Sequence, residues 1–171
     1  LEASWNLGEW ADFSRHVQVL RTLKCPSSFD KSFYSAIAEI KSRRFSAAQA
    51  HIEKARQLLD PRITSLLGES YSRAYSLIQD LQSLKELEEV ITFHKTGNEQ
   101  RRKHIYKLWQ QRFAVQPSDD LKAYQRSLKI RSIVMDRTEE VESHLQFAQL
   151  ARNSGNAALG SNVLWSLLED F

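Results

Sequence analysis

One cysteine, three prolines and five glycines occur in 171 residues. The single thiol, Cys25, excludes a disulfide framework and a cysteine-built zinc site. A sheet protein of this length would need many tight turns, which draw on Gly and Pro, so an all-β fold is excluded first. No apolar run approaches the roughly 18 residues of a membrane-crossing helix. The start, Leu1-Glu2-Ala3-Ser4, lacks a basic region ahead of an apolar stretch, so no signal peptide is expected. Four Trp, five Tyr, eight Phe and 42% hydrophobic residues are enough for a real core and argue against disorder. The chain reads as a soluble, intracellular helical piece of about one domain.

Motifs for chemistry are also missing. The five histidines form no i, i+4 pair around a Glu, and no glycine-rich phosphate loop, GxSxG elbow or kinase signature occurs. Cys25 would need a histidine partner to act as a nucleophile. The acids Glu86, Glu88 and Glu89 are expected on a solvated helix face. No catalytic residue and no metal ligand is expected.

Charge is uneven. Residues 1–92 are balanced, residues 93–137 carry 11 Lys/Arg against 4 acids, and residues 138–171 carry 1 Arg against 5 acids. The basic middle suits either a solvated helix surface or a phosphate-rich or acidic ligand.

Apolar spacing predicts about eight helices in antiparallel succession. Trp10, Phe13, Val17 and Leu20 mark the first, and Asp30 is the expected cap of the next, which carries Phe33, Ile37 and Ile40. Ala48, Ile52, Ala55 and Leu59 follow, with Asp60-Pro61 as the expected end. A run from Ile63 to Ile91 reads as one long helix, on which Tyr71 and Tyr75 are expected in the core. Thr96-Gly97-Asn98 stops it. Ile105, Trp109 and Phe113 come next, then Tyr124 and Leu128 behind a Ser118-Asp119 cap. Asp136 with Glu139 has the form of a capping box, and Asn153-Ser154-Gly155-Asn156 is a tight turn before Leu159, Val163 and Leu167. Phe45–Leu59 looks like the second helix of a tetratricopeptide-type pair. The expected fold is all-α, an α-solenoid of antiparallel helix pairs, tetratricopeptide/HEAT-like. Trp5 sits too near the start to have a partner helix, and Leu164 to Leu168 leave an apolar surface, so a fragment of a longer chain is expected.

Several strings carry a resemblance across nearly the whole chain: Leu7-Gly8-Glu9-Trp10, Phe33-Tyr34-Ser35-Ala36, Ile52 to Asp60, Gly68-Glu69-Ser70-Tyr71-Ser72-Arg73-Ala74-Tyr75, Leu87-Glu88-Glu89-Val90, Arg131-Ser132-Ile133-Val134 and the Ser154-Gly155 turn. In these the sequence resembles the FAT domain of the phosphatidylinositol-3-kinase-related kinases, and within them the TOR type, with residues 1–171 forming part of one FAT helical-repeat domain. It departs from the TOR pattern at Tyr124, where a Trp is usual, and at Asn156-Ala157, where a basic residue is expected.

The resemblance implies a non-catalytic segment of a serine/threonine kinase that clamps and positions the kinase domain and supports complex assembly in nutrient and growth signalling. Implied partners are the kinase domain of the same chain, accessory subunits of a TOR complex and a second copy of the parent chain, with no direct nucleic acid and no membrane insertion. The implied setting is cytoplasmic, or peripheral on endomembranes through partners. It implies no cofactor beyond a structural inositol hexakisphosphate, for which Arg73, Lys95, Arg101, Arg102 and Lys103 are the candidate ligand-binding residues. The alternatives are the FAT segment of an ATR-like DNA-damage checkpoint kinase, a free tetratricopeptide-type adaptor gripping peptides, and a nucleic-acid binder using the basic middle. The last is weakened because Trp109 and Phe113, four apart on a helix, suit burial better than base stacking.

Overall fold

The computed structural model describes residues 2–22, 28–115 and 120–169, so Cys25 and the Ser118-Asp119 cap lie outside the described residues. Among the described residues there are nine α-helices, one 3-10 turn and no strand, the all-α architecture that the apolar spacing predicts. The chain divides into two compact units, Leu1–Ile91 and Thr92–Phe171.

In the first unit, α1 (Glu2–Leu7), α2 (Trp10–Thr22), α3 (Phe29–Lys41), α4 (Phe45–Leu67) and most of α5 (Tyr71–Lys95) follow in order. The α1 segment is the helix beyond the expected eight, and it gives Trp5 a place. That ring is buried and meets Phe33 and Tyr34 edge-on at 5.8 Å each, so Trp5 does not lack a partner. Between α1 and α2 the chain turns at Gly8, whose φ of +76° suits a residue without a Cβ. The cap of α3 is Ser28, whose hydroxyl accepts from the Lys31 N–H at 3.2 Å. Asp30 falls inside the first turn, where its charge faces the helix N-terminus. A pair of helices, α3 and α4, joined through Ser42–Arg44, carries most of the core: Phe33, Ile37 and Ile40 from one, Ala48, Ile52, Ala55 and Leu59 from the other.

Pro61 does not end α4. The helix runs through it for almost two more turns. The apolar face explains this, because Ile63 sits four residues after Leu59 and is buried on the same stripe. Burying it offsets the backbone bond that proline withholds. The break comes instead at Gly68-Glu69-Ser70, where the N–H groups of Glu69 and Ser70 both donate to the Leu66 carbonyl.

Moving that break re-phases the start of α5. Tyr71 becomes its first residue and is 69% exposed, while Ala74 is buried and Tyr75 half-buried. The expectation that Tyr71 packs in the core is therefore overturned. Tyr71→Ala should cost less than about 1 kcal/mol in urea melts, the range of surface changes, and a loss of several kcal/mol would contradict this placement. The acids of α5 depart from expectation in the opposite sense. Glu86 and Glu89 are buried, and Glu88 is partly covered, with Arg56 of α4 at 2.7 Å and Lys85 at 3.1 Å. Burial pushes the Glu88 carboxyl up, but hydrogen bonds from Arg56 and Lys85 outweigh it and hold the group below the usual carboxylate range.

In the second unit, the end of α5 is followed by α6 (Glu99–Val115), α7 (Leu121–Arg131), a 3-10 turn (Arg137–Glu139), α8 (Val141–Asn153) and α9 (Ala157–Leu168). Asn98 caps α6, accepting from the N–H groups of Gln100 and Arg101. Asp120 caps α7, accepting from Ala123 N–H at 3.1 Å. The Asp136–Glu139 box is present and opens the 3-10 turn, with α8 starting two residues later. The core joins Phe113, Tyr124, Leu128 and Phe147. Tyr124 stacks on Phe113 at 4.2 Å and sends its hydroxyl to the Phe113 carbonyl at 3.3 Å.

Helices α8 and α9 pack closely because Gly160 faces α8. A Cβ there would lie 2.9 Å from both the Ala148 carbonyl oxygen and Arg152 Cγ. Gly160→Ala should therefore destabilise by about 1–3 kcal/mol, despite alanine's better helix propensity. A stability gain in denaturant melts would show that the two helices are not held at this spacing.

Candidate functional site

The five candidate cations fall in two places. Arg73 stands on the first turn of α5, exposed, with Glu69 at 3.7 Å. Lys95 is the last residue of the same helix, so about six turns of α5 separate them along the helix. Lys95 does lie beside the other three in sequence, because the Thr96–Asn98 connection leads directly into the first turns of α6.

At this connection the sequence fixes one cation firmly. Arg102 donates from Nε to the Thr96 carbonyl at 3.1 Å, and its guanidinium lies 5.2 Å from the centre of the Phe93 ring. Phe93 in turn stacks on the buried Trp109 at 5.9 Å. Arg101 is exposed, and Lys103 pairs with Glu99 at 2.8 Å across one turn of solvated helix. Such exposed pairs contribute little to stability and exchange readily for a stronger anion. The arrangement is a short basic rim with one anchored guanidinium, suited to electrostatic attraction of a polyanion and devoid of a nucleophile–base pair. Among the described residues, no group of His, Cys, Asp and Glu is placed to hold a metal ion.

The basic middle of the chain is not all surface. Arg131 is fully buried at the end of α7, with its guanidinium 3.7 Å from the Phe113 ring centre and 5.3 Å from that of Trp109. It donates to the Trp109 carbonyl at 3.2 Å and pairs with buried Glu140 at 3.7 Å. Lys129 is half-buried, and burial first, then the charge of Arg137, lowers its pKa. A count of charges along the chain could not distinguish these from solvated cations. The nearest sequence signal was Arg131-Ser132-Ile133-Val134, whose apolar half marks it as interior. Trp109, Phe113 and Tyr124 are buried, so these rings offer no platform for bases.

Paired helices in succession, with an interior salt bridge and a basic rim, define an all-α, solenoid-like segment. The family model of the FAT domain matches residues 1–170. The chain belongs to the FAT domain family. It is 34% identical over 169 residues to the serine/threonine-protein kinase TOR2 of Saccharomyces cerevisiae, covering 98% of this chain and 7% of that protein. It is 36% identical over 186 residues to the serine/threonine-protein kinase TOR of Arabidopsis thaliana, again with 98% and 7% covered. With the mTor kinase of Drosophila melanogaster the identity is 32% over 167 residues, covering 97% of this chain and 6% of the relative. The chain thus spans about 7% of the length of these curated relatives.

Proposed function

We propose that this chain is a scaffold segment of a TOR-type serine/threonine kinase, clamping and positioning the kinase domain of its parent and supporting assembly of a TOR complex in nutrient and growth signalling. The observation that carries this reading is the match to the FAT family over residues 1–170, together with alignment to TOR kinases over nearly the whole chain. The helical architecture supports it physically: packed helix pairs transmit position rigidly, because close-packed interiors resist compression. Exposed Leu145, Trp165 and Leu168 give α8 and α9 apolar surface for neighbours within the parent assembly. The segment works by geometry, and its parent's setting is cytoplasmic or peripheral on endomembranes. Reading the coding sequence downstream of this segment tests the assignment. A kinase domain is the expected result, and its absence would overturn the scaffold reading in favour of a free adaptor.

Part of the proposal is a structural inositol hexakisphosphate held through Arg73, Lys95, Arg101, Arg102 and Lys103. Lys95, Arg101, Arg102 and Lys103 are close in sequence around the α5–α6 connection, whereas Arg73 would engage the ligand together with cations from elsewhere in the parent. Calorimetry with inositol hexakisphosphate at near-physiological salt should show binding to the parent kinase that weakens by about tenfold or more in the Arg73→Ala/Lys95→Ala variant. Equal heats for the two proteins would remove these residues from the site.

A further inference from the structure

We propose that a small cleft in the first unit, between α2, α3 and α4, is a binding site for a single phosphoryl group. The cleft has a volume of about 80 Å³ and is lined by Arg21, Lys31, Ser32, Ser35, His51 and Lys54. At roughly 30 Å³ per water, that is room for two or three waters, about the size of one tetrahedral oxyanion.

The lining is almost entirely hydrogen-bond donors. Arg21 reaches in from α2, Lys31, Ser32 and Ser35 from α3, and His51 and Lys54 from α4. Ser32 and Ser35 are buried, so their hydroxyls form a floor rather than a rim. Ser35 Oγ accepts from Arg21 Nε at 3.4 Å, leaving its own O–H to donate. Arg21 is preorganised by the Ser35 carbonyl at 3.3 Å and by Glu39 Oε1 at 2.7 Å. That buried carboxylate also pairs with Arg44 at 2.6 Å, so it is shared between two guanidiniums and leaves the cleft with a surplus of positive charge.

The imidazole reports the same field. Burial, then the charges of Arg21 and Lys54, hold the His51 pKa below its usual value, and Glu39 only partly opposes them. Beyond the Arg21 guanidinium, which Glu39 engages, the cleft presents the Lys54 ammonium, two hydroxyls and an imidazole. They match the three or four acceptor oxygens of a phosphoryl dianion. This site is separate from the basic rim of α5 and α6 and stands or falls independently of the inositol polyphosphate reading.

The test is a pH titration of the His51 ring signals by NMR, on this chain, with inorganic phosphate raised against chloride at constant ionic strength. A bound dianion places negative charge beside the imidazole, so its titration midpoint should move upward and saturate. Lys54→Met, at an exposed position, should weaken the apparent phosphate affinity by about tenfold, while Lys107→Met, exposed in the second unit, should leave it unchanged. O-phospho-L-serine in a parallel arm distinguishes a phosphorylated side chain from free phosphate as the natural source, and acetate controls for any anion. No saturable shift with either phosphate compound, an equal shift with acetate, or an unaltered shift in folded Lys54→Met would overturn the proposal.

Discussion

Glu140→Ala should destabilise the second unit by about 3–5 kcal/mol, because it leaves the Arg131 guanidinium charged inside the protein without its carboxylate. Both side chains are essentially inaccessible, at 0% for Arg131 and 2% for Glu140. The guanidinium lies against the Phe113 ring, near that of Trp109, and is bonded to the Trp109 carbonyl, so it has no route to water without dismantling the α6–α7 packing. Glu140 is also the residue preceding α8, and its carbonyl accepts from the His144 N–H at 3.1 Å. The pair therefore ties the end of α7 to the start of α8. Its geometry also predicts what removing both charges does. Arg131→Met with Glu140→Leu eliminates the desolvation cost together with the attraction, so the double variant should recover most of the loss suffered by Glu140→Ala. Guanidinium chloride melts of the three proteins measure this. A loss below about 1 kcal/mol in Glu140→Ala would mean that the buried cation finds adequate compensation without this carboxylate.

Arg131 also marks the limit of what the amino-acid sequence shows. Apolar spacing located the interior of α3 and α6 because each buries one stripe, and Phe33 and Trp109 fall on those stripes. The Asp136–Glu139 box and the Asn153–Asn156 turn were legible because their chemistry is local: Asn156 accepts from Leu159 N–H, and Gly155 takes a φ of +84°. Pro61 misled because a local rule met a tertiary one, and the buried Ile63 prevailed. That shift moved the α4–α5 break by several residues and carried Tyr71 from the expected core to solvent. Charges were the least legible feature. Glu86 was expected on a solvated face and Arg131 was one cation of a basic stretch, yet both are buried, since burial of an ionised group depends on partners distant in sequence. The candidate cations Lys95 and Arg101–Lys103 came from the family resemblance and lie together in sequence, whereas the donors lining the cleft at His51 come from three helices and left no linear signal.

Phe33→Ala should cost the first unit about 3–5 kcal/mol, the range of large aromatic truncations in a packed interior. The ring is fully buried and meets three others: Trp5 edge-on at 5.8 Å, Tyr34 edge-on at 5.4 Å and Phe29 stacked at 5.6 Å. Truncation thus removes the centre of a four-ring cluster that joins α1 to α3, forfeiting edge-to-face contacts beyond the area lost. Phe33→Leu keeps most of the volume and should cost less than about 1.5 kcal/mol. Because Trp5 lies against Phe33, its fluorescence should shift toward the red in Phe33→Ala at denaturant concentrations where the wild-type chain is folded. The remaining members of the same string, Tyr34, Ser35 and Ala36, are buried too. A family likeness carried by Phe33-Tyr34-Ser35-Ala36 therefore reports the packing of α3 in the first unit. If Phe33→Ala melted within 1 kcal/mol of wild type, that packing would have to be held by α3 and α4 without α1, and Trp5 would be a passenger on the core.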